Sequence, residues 1–195
     1  MRNPGTVLAV LTGLGLSSAA GLNAFIPVLM IGLLDRFTDL VRLPAEFGWL
    51  SDGPVLALLA LLLAAETVLD KVPGVDTVND IVQTLIRPAS GGAVFAATEA
   101  AARADASLMR DAPWLAWTLG IAAALLVHLT KTTVRPLVNA GTLGAGAPVV
   151  STVEDTFAFG VSLLAVLAPV VALIGLGMLG YVAYRLLSLR RRQPA

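Results

Sequence analysis

Between Pro54 and Lys71 the chain reads PVLALLALLLAAETVLDK, an apolar helix-forming run that carries two carboxylates, Glu66 and Asp70, near its far end. A run like this leaves few folds open. About 20 apolar residues in a helix span the hydrocarbon core of a bilayer. An ionised carboxylate inside that core costs about 2.5–3.5 kcal/mol even on lenient insertion scales, so it persists where it faces protein, water or a cation. The fold implied is all-α, a polytopic transmembrane helical bundle with a polar interior.

Composition agrees. Of 195 residues, 57% are hydrophobic and 13% charged, with a mean hydropathy of +0.85, against about a quarter charged in soluble domains. The 13 basic and 13 acidic residues cancel, so no global field recruits nucleic acid. With no cysteine, disulfides, thiolate metal sites and thiol catalysis are excluded, and a single histidine excludes a multi-histidine metal site within one chain. The N-terminal MRNPGTVLAVLTGLGLSSAAGL has the outline of a secretory signal. Its apolar character resumes through Phe25 to Leu34, so it is expected to be kept as a membrane helix.

The chain reads as one integral membrane domain, 1–195, with about four to five membrane helices. The segments are 6–34, 54–70, 114–131 and 157–187, with 89–108 undecided. The first is over-long, and Gly21, Asn23 and Pro27 mark an interruption; broken membrane helices are tolerated where they line a cavity. The last is also over-long, and Pro169 is placed to kink or split it. Segment 89–108 is small and helix-forming but carries Glu99, Arg103 and Asp105, so it crosses while packed among helices, dips in and returns, or lies at the interface. Arg185, Arg190, Arg191 and Arg192 place the C-terminus in the cytoplasm, with the chain in a bacterial inner membrane.

Glu66 and Asp70 are four apart and share a helix face; His128, Lys131 and Arg135 share another. Packed together, they bring carboxylates against an imidazole, an ammonium and a guanidinium near one membrane boundary. Two readings stay open. One is a charged relay in which Glu66 or His128 takes up a proton; the other is a structural ion-pair clamp with Lys131 and Arg135 reaching towards headgroups. Asp76 and Asp80 add carboxylates that attract a cation, but without the ligand spacing of a calcium loop, so a metal is left undecided.

The turn Lys71-Val72-Pro73-Gly74-Val75-Asp76 combines a fixed proline φ with a permissive glycine. Asn139 opens a Gly-rich stretch, AGTLGAGAP, expected as a loop; it lacks the lysine and strand of a phosphate cradle. Val75–Asp80 (VDTVND) echoes Val150–Asp155 (VSTVED), and Ile86-Arg87-Pro88 echoes Val134-Arg135-Pro136. The echo reads either as duplication or as helix grammar, with Thr77 and Thr152 as N-caps and each Pro ending or restarting a helix. Gly13, Gly15 and Ser17, like Gly175, Gly177 and Gly180, allow close helix packing or dimerisation.

In order, Ser18 to Ala24, Glu66 with DKVPGVD, Ile86-Arg87-Pro88, His128, Lys131, Arg135, Asn139 and Ser151 with Glu154-Asp155 form a pattern. It resembles a family of small bacterial integral membrane proteins catalogued as a domain of unknown function, over roughly residues 11–172. The resemblance implies a helical membrane domain with polar motifs at helix ends and supplies no activity. From the residues themselves, a channel or carrier for a small ion or polar solute is expected. Its pathway would use Asn23, Glu66, Asp70, Lys71, Asp76, Asp80, Arg87, His128, Lys131, Arg135, Asn139, Glu154 and Asp155. No cofactor is expected, and no enzymatic role, because no nucleophile pairs with a base. The partners expected are the bilayer and further copies of the chain. The alternative is a membrane scaffold or accessory subunit whose charged pairs are structural.

Overall fold

The computed structural model describes residues 4–72, 75–102 and 112–190. Seven α-helices follow in order: α1 (Pro4–Leu22), α2 (Phe25–Phe37), α3 (Gly53–Leu69), α4 (Val75–Ala102), α5 (Pro113–Thr142), α6 (Ala147–Leu167) and α7 (Pro169–Arg190), with a 3-10 turn, Ala45–Ser51, before α3. No strand occurs among the described residues. The helices α5 and α6 are long and apolar enough to cross a membrane, and so is the pair formed by the 3-10 turn and α3, bent by 58°. Val7–Leu22 and Pro169–Met178 are shorter apolar stretches. The chain is an all-helical membrane protein.

α1 runs through the middle and packs on α4, α5 and α6. Its sequence of small residues is what allows this: lipid tails are as apolar as leucine, so membrane helices associate through close van der Waals fit. Ser17 Oγ donates to the Gly91 carbonyl at 2.8 Å. Gly13 lies under the Phe95 ring, and a methyl at Gly15 would meet the Ala165 Cβ at 2.6 Å. A methyl at Gly175 or Gly177 of α7 would meet nothing within 4 Å among the described residues.

α4 and α5 are antiparallel and in strict register: Asp76 faces Asn139, Asp80 faces Arg135, Arg87 faces His128, and Gly91 and Phe95 face Ala124 and Gly120. One half of this seam is polar and the other small. At the small end, Leu16, Val28, Ile31, Leu50, Val94 and Ala97 form the apolar core. The undecided segment 89–108 is thereby placed as far as Ala102: it is the buried second half of α4, packed among the other helices, and Arg103 and Asp105 lie outside the described residues.

Several boundaries differ from expectation. The long first run does break, at Asn23, into α1 and α2. The last run splits at Ala168 ahead of Pro169, but α6 begins ten residues before 157 because Ala147 and Pro148 open it. α5 continues past 131 to Thr142, so Asn139 sits in a helix and not at the mouth of a loop. The expected glycine loop shrinks to a tight turn, with Leu143 in the left-handed region at φ 52° and Gly144 N–H donating to the Asn139 carbonyl at 2.8 Å. Pro88 and Pro136 lie inside continuing helices. Thr152 is no N-cap, since it sits inside α6 and donates to the Pro148 carbonyl. Pro73, Gly74, Arg191, Arg192 and the Thr77 side chain lie outside the described residues.

Candidate functional site

α4 is built inside out. Its outer face carries Val78, Ile81, Val82 and Leu85, all exposed, while Asp76, Asp80, Gln83 and Arg87 point inward and are buried. These four positions fall at i, i+4, i+7 and i+11, one stripe of a helix. The opposing stripe of α5 is His128, Lys131, Arg135 and Asn139. From Trp114 at the other end of α5, a rise of 1.5 Å per residue puts His128 at about 21 Å and Arg135 at about 31 Å. With Trp114 at one boundary of a hydrocarbon core about 30 Å deep, the polar seam would reach from within that core to the other boundary.

All thirteen residues expected at the site come together. Arg87 sits at the inner end: Nη2 donates to Glu66 Oε1 at 2.9 Å, and Nη1 lies 3.3 Å from Asp80 Oδ1. Asp70 Oδ2 accepts from Lys131 Nζ and from Arg135 Nη2, each at 3.2 Å, while Oδ1 accepts from Asn79 at 2.8 Å. Arg135 Nη1 reaches Asp80 Oδ2 at 3.2 Å. Glu154 Oε2, from α6, lies 3.0 Å from both Lys131 and Arg135. Asn139 Nδ2 donates to Asp76 Oδ2 at 2.8 Å. Each cation thus bridges carboxylates from more than one helix, which is how buried charges are tolerated.

The broken first helix joins the same network. Ending α1 at Leu22 frees a carbonyl, and Lys131 Nζ donates to it at 3.2 Å. Asn23 Oδ1 accepts the N–H groups of Phe25 and Ile26 at 3.0 and 3.2 Å, satisfying the start of α2. Its amide then donates to Asp155 Oδ1 at 2.9 Å. Asp155 Oδ2 lies 3.8 Å from Lys71, and this pair, 20% and 35% exposed, forms the rim.

Two expected pairings differ. Glu66 was expected to face Lys131 or Arg135, but its hydrogen-bonded cation is Arg87, because Glu66 lies one turn deeper than Asp70. His128 was expected to meet carboxylates, but its hydrogen bonds go to Arg87 Nη1, 3.1 Å from Nδ1, and to Thr84 Oγ1, 2.8 Å from Nε2. Gln83, Thr84, Asn79 and the Leu22 carbonyl were not anticipated. Gln83 was legible, since it continues the stripe of Asp76, Asp80 and Arg87; the Leu22 carbonyl carries no side-chain signal at all. Among the described residues no group of three or more histidines and carboxylates is arranged to hold a metal ion.

A family model described as a domain of unknown function (DUF4126) matches residues 10–189. The chain belongs to this family. The DUF4126 match runs beyond the expected 11–172 and takes in every residue of the cluster. No curated protein and no solved structure matches the chain.

Proposed function

We propose that the protein is a membrane transport protein, a channel or carrier that moves a small ion or polar solute past the buried charge cluster. The observation that carries this reading is that the cluster is approached from two sides. Lys71 and Asp155 form a partly exposed rim at one end. On the flank, a pocket of about 190 Å³ between α4 and α5 is lined by Asp80, Ile81, Thr84, Thr132, Arg135 and Pro136, so it touches two of the cluster's charged groups. Polar residues at membrane depth are costly, and lining a pathway is one of the few roles that offset the cost.

We place the protein in a bacterial cytoplasmic membrane with Arg185 and the following arginines on the cytoplasmic side. It works as a homo-oligomer: Ile174, Met178 and Tyr181 of α7 are exposed, leaving that helix open to a second copy. No catalytic step is part of the reading. A scaffold or accessory subunit is the second reading, favoured by the way Lys131 and Arg135 each contact several carboxylates. Flux of ions and protons into liposomes, wild type beside Glu66→Gln, separates the two. Flux abolished in a folded, monodisperse variant supports transport; no flux from well-folded wild type favours the scaffold.

A further inference from the structure

Among the described residues the cluster has more negative than positive groups. Glu66, Asp70, Asp76, Asp80 and Glu154 contribute five carboxylates, against three cations, Arg87, Lys131 and Arg135. Lys71 and Asp155 at the rim cancel one another. His128 adds no charge. Arginine has only donors, so the contact of Arg87 Nη1 with Nδ1 makes that nitrogen the acceptor. The ring proton is then on Nε2, facing Thr84 Oγ1, whose own hydroxyl donates to the Asp80 carbonyl at 2.9 Å.

A second observation is independent of the charge count. Gln83 is 3% exposed and lies on the cluster stripe of α4 between Asp80 and Arg87, yet its Oε1 accepts no hydrogen bond. Glu66, 2% exposed, uses Oε1 for Arg87 and leaves Oε2 without a donor. Buried acceptors of this kind are normally satisfied. Arg87 Nε and Arg135 Nε also lack hydrogen-bond partners, but with Asp80 Oδ1 and Asn139 Oδ1 the unpartnered acceptors outnumber them. The surplus is in acceptors and in negative charge, so the matching ligand is positive.

We propose that the cluster binds a monovalent cation, an alkali ion or a proton, at Glu66 and Gln83 beside Arg87. The inference rests on the reading of the cluster as an ion site and assigns that site its class of ion. A divalent ion does not fit, because an arginine or lysine stands between the carboxylates and leaves single oxygens in place of a chelating set. An anion does not fit, because Arg87, Lys131 and Arg135 already point at carboxylates.

The test measures binding without vesicles, on the full chain in detergent and choline chloride. Saturable binding of radiolabelled sodium or rubidium, lost in Glu66→Gln and weakened at least tenfold in Gln83→Leu, supports an alkali ion. If the ion is a proton, neither label binds, and the infrared spectrum of the folded wild type at neutral pH shows a protonated-carboxyl band that Glu66→Gln removes. Wild type with neither label bound and no such band overturns the proposal, as does saturable binding of labelled chloride or phosphate. These wild-type measurements stand even if a variant fails to fold. Cation binding without flux retains the inference and removes the transport reading; anion flux without cation binding does the reverse.

Discussion

Arg87 Nη1 and His128 Nδ1 lie 3.1 Å apart across the α4–α5 seam, a cation facing an imidazole inside the protein. The contact is favourable only if Nδ1 presents its lone pair, because a proton there would put two donors face to face. Arg87 therefore dictates the histidine's tautomer, and Thr84 completes it on the other nitrogen.

His128 is accordingly expected to be neutral at neutral pH, with its proton on Nε2. Nitrogen NMR of histidine-labelled protein reads this directly, because the protonated and unprotonated ring nitrogens resonate far apart. A doubly protonated ring, or a proton on Nδ1, would contradict the geometry. His128→Phe, which leaves Arg87 Nη1 without its acceptor, should cost about 1–3 kcal/mol of stability in detergent unfolding.

Glu66 and Arg87 form the innermost pair, and removing the cation should hurt more than removing the acid. Arg87→Gln leaves Glu66 and Asp80 without the guanidinium and should destabilise by about 3–5 kcal/mol. Glu66→Gln keeps an acceptor for Arg87 and should cost less. Combining Glu66→Gln with Arg87→Gln should recover part of the loss, measured by thermal unfolding in detergent. Recovery in a Glu66/Lys131 double variant instead would show that the pairing runs to α5.

Gly91 and Gly120 set the approach of α4 to α5. A methyl at Gly91 would collide with the Ala124 Cβ and the Gly120 carbonyl, both of which are held by packed helices. Gly91→Ala should therefore destabilise by about 1–3 kcal/mol. A methyl at Gly160, inside α6, would meet nothing within 4 Å among the described residues. There the substitution to Ala should be neutral or stabilise by up to about 1 kcal/mol. Equal effects at the two sites in detergent unfolding would argue against this seam.

Leu143 is 97% exposed and holds φ 52°, a conformation that costs a non-glycine residue roughly 1–2 kcal/mol. Leu143→Gly should remove that cost while loosening the unfolded chain, for a net gain of up to about 1 kcal/mol. A loss of stability would mean that the leucine side chain has a contact outside the chain, in lipid or a second copy.

The break at Asn23 and the split before Pro169 were legible because proline and helix-breaking residues act locally, on the backbone they belong to. The continuation of α5 through Asn139 was not legible. Pro136 and the following glycines argue for an end, and the hydrogen bond to Asp76, 63 residues away, holds the helix on.

By itself the sequence determined that this chain is helical and lives in a membrane, and which polar residues are too costly to be left facing lipid. Apolar length and the cost of burying charge depend only on residue type, so no tertiary knowledge is needed to read them. Tertiary structure alone decided who pairs with whom: Arg87 and not Lys131 with Glu66, Arg87 and Thr84 with His128, Lys131 with the carbonyl that the break in α1 exposes. Across the α4–α5 seam those choices follow from its antiparallel register, set by glycine and alanine contacts that begin about 6 Å along the seam from Arg87 and about 17 Å from Asp80. Such a register is a property of two surfaces in contact, and neither stripe states it alone.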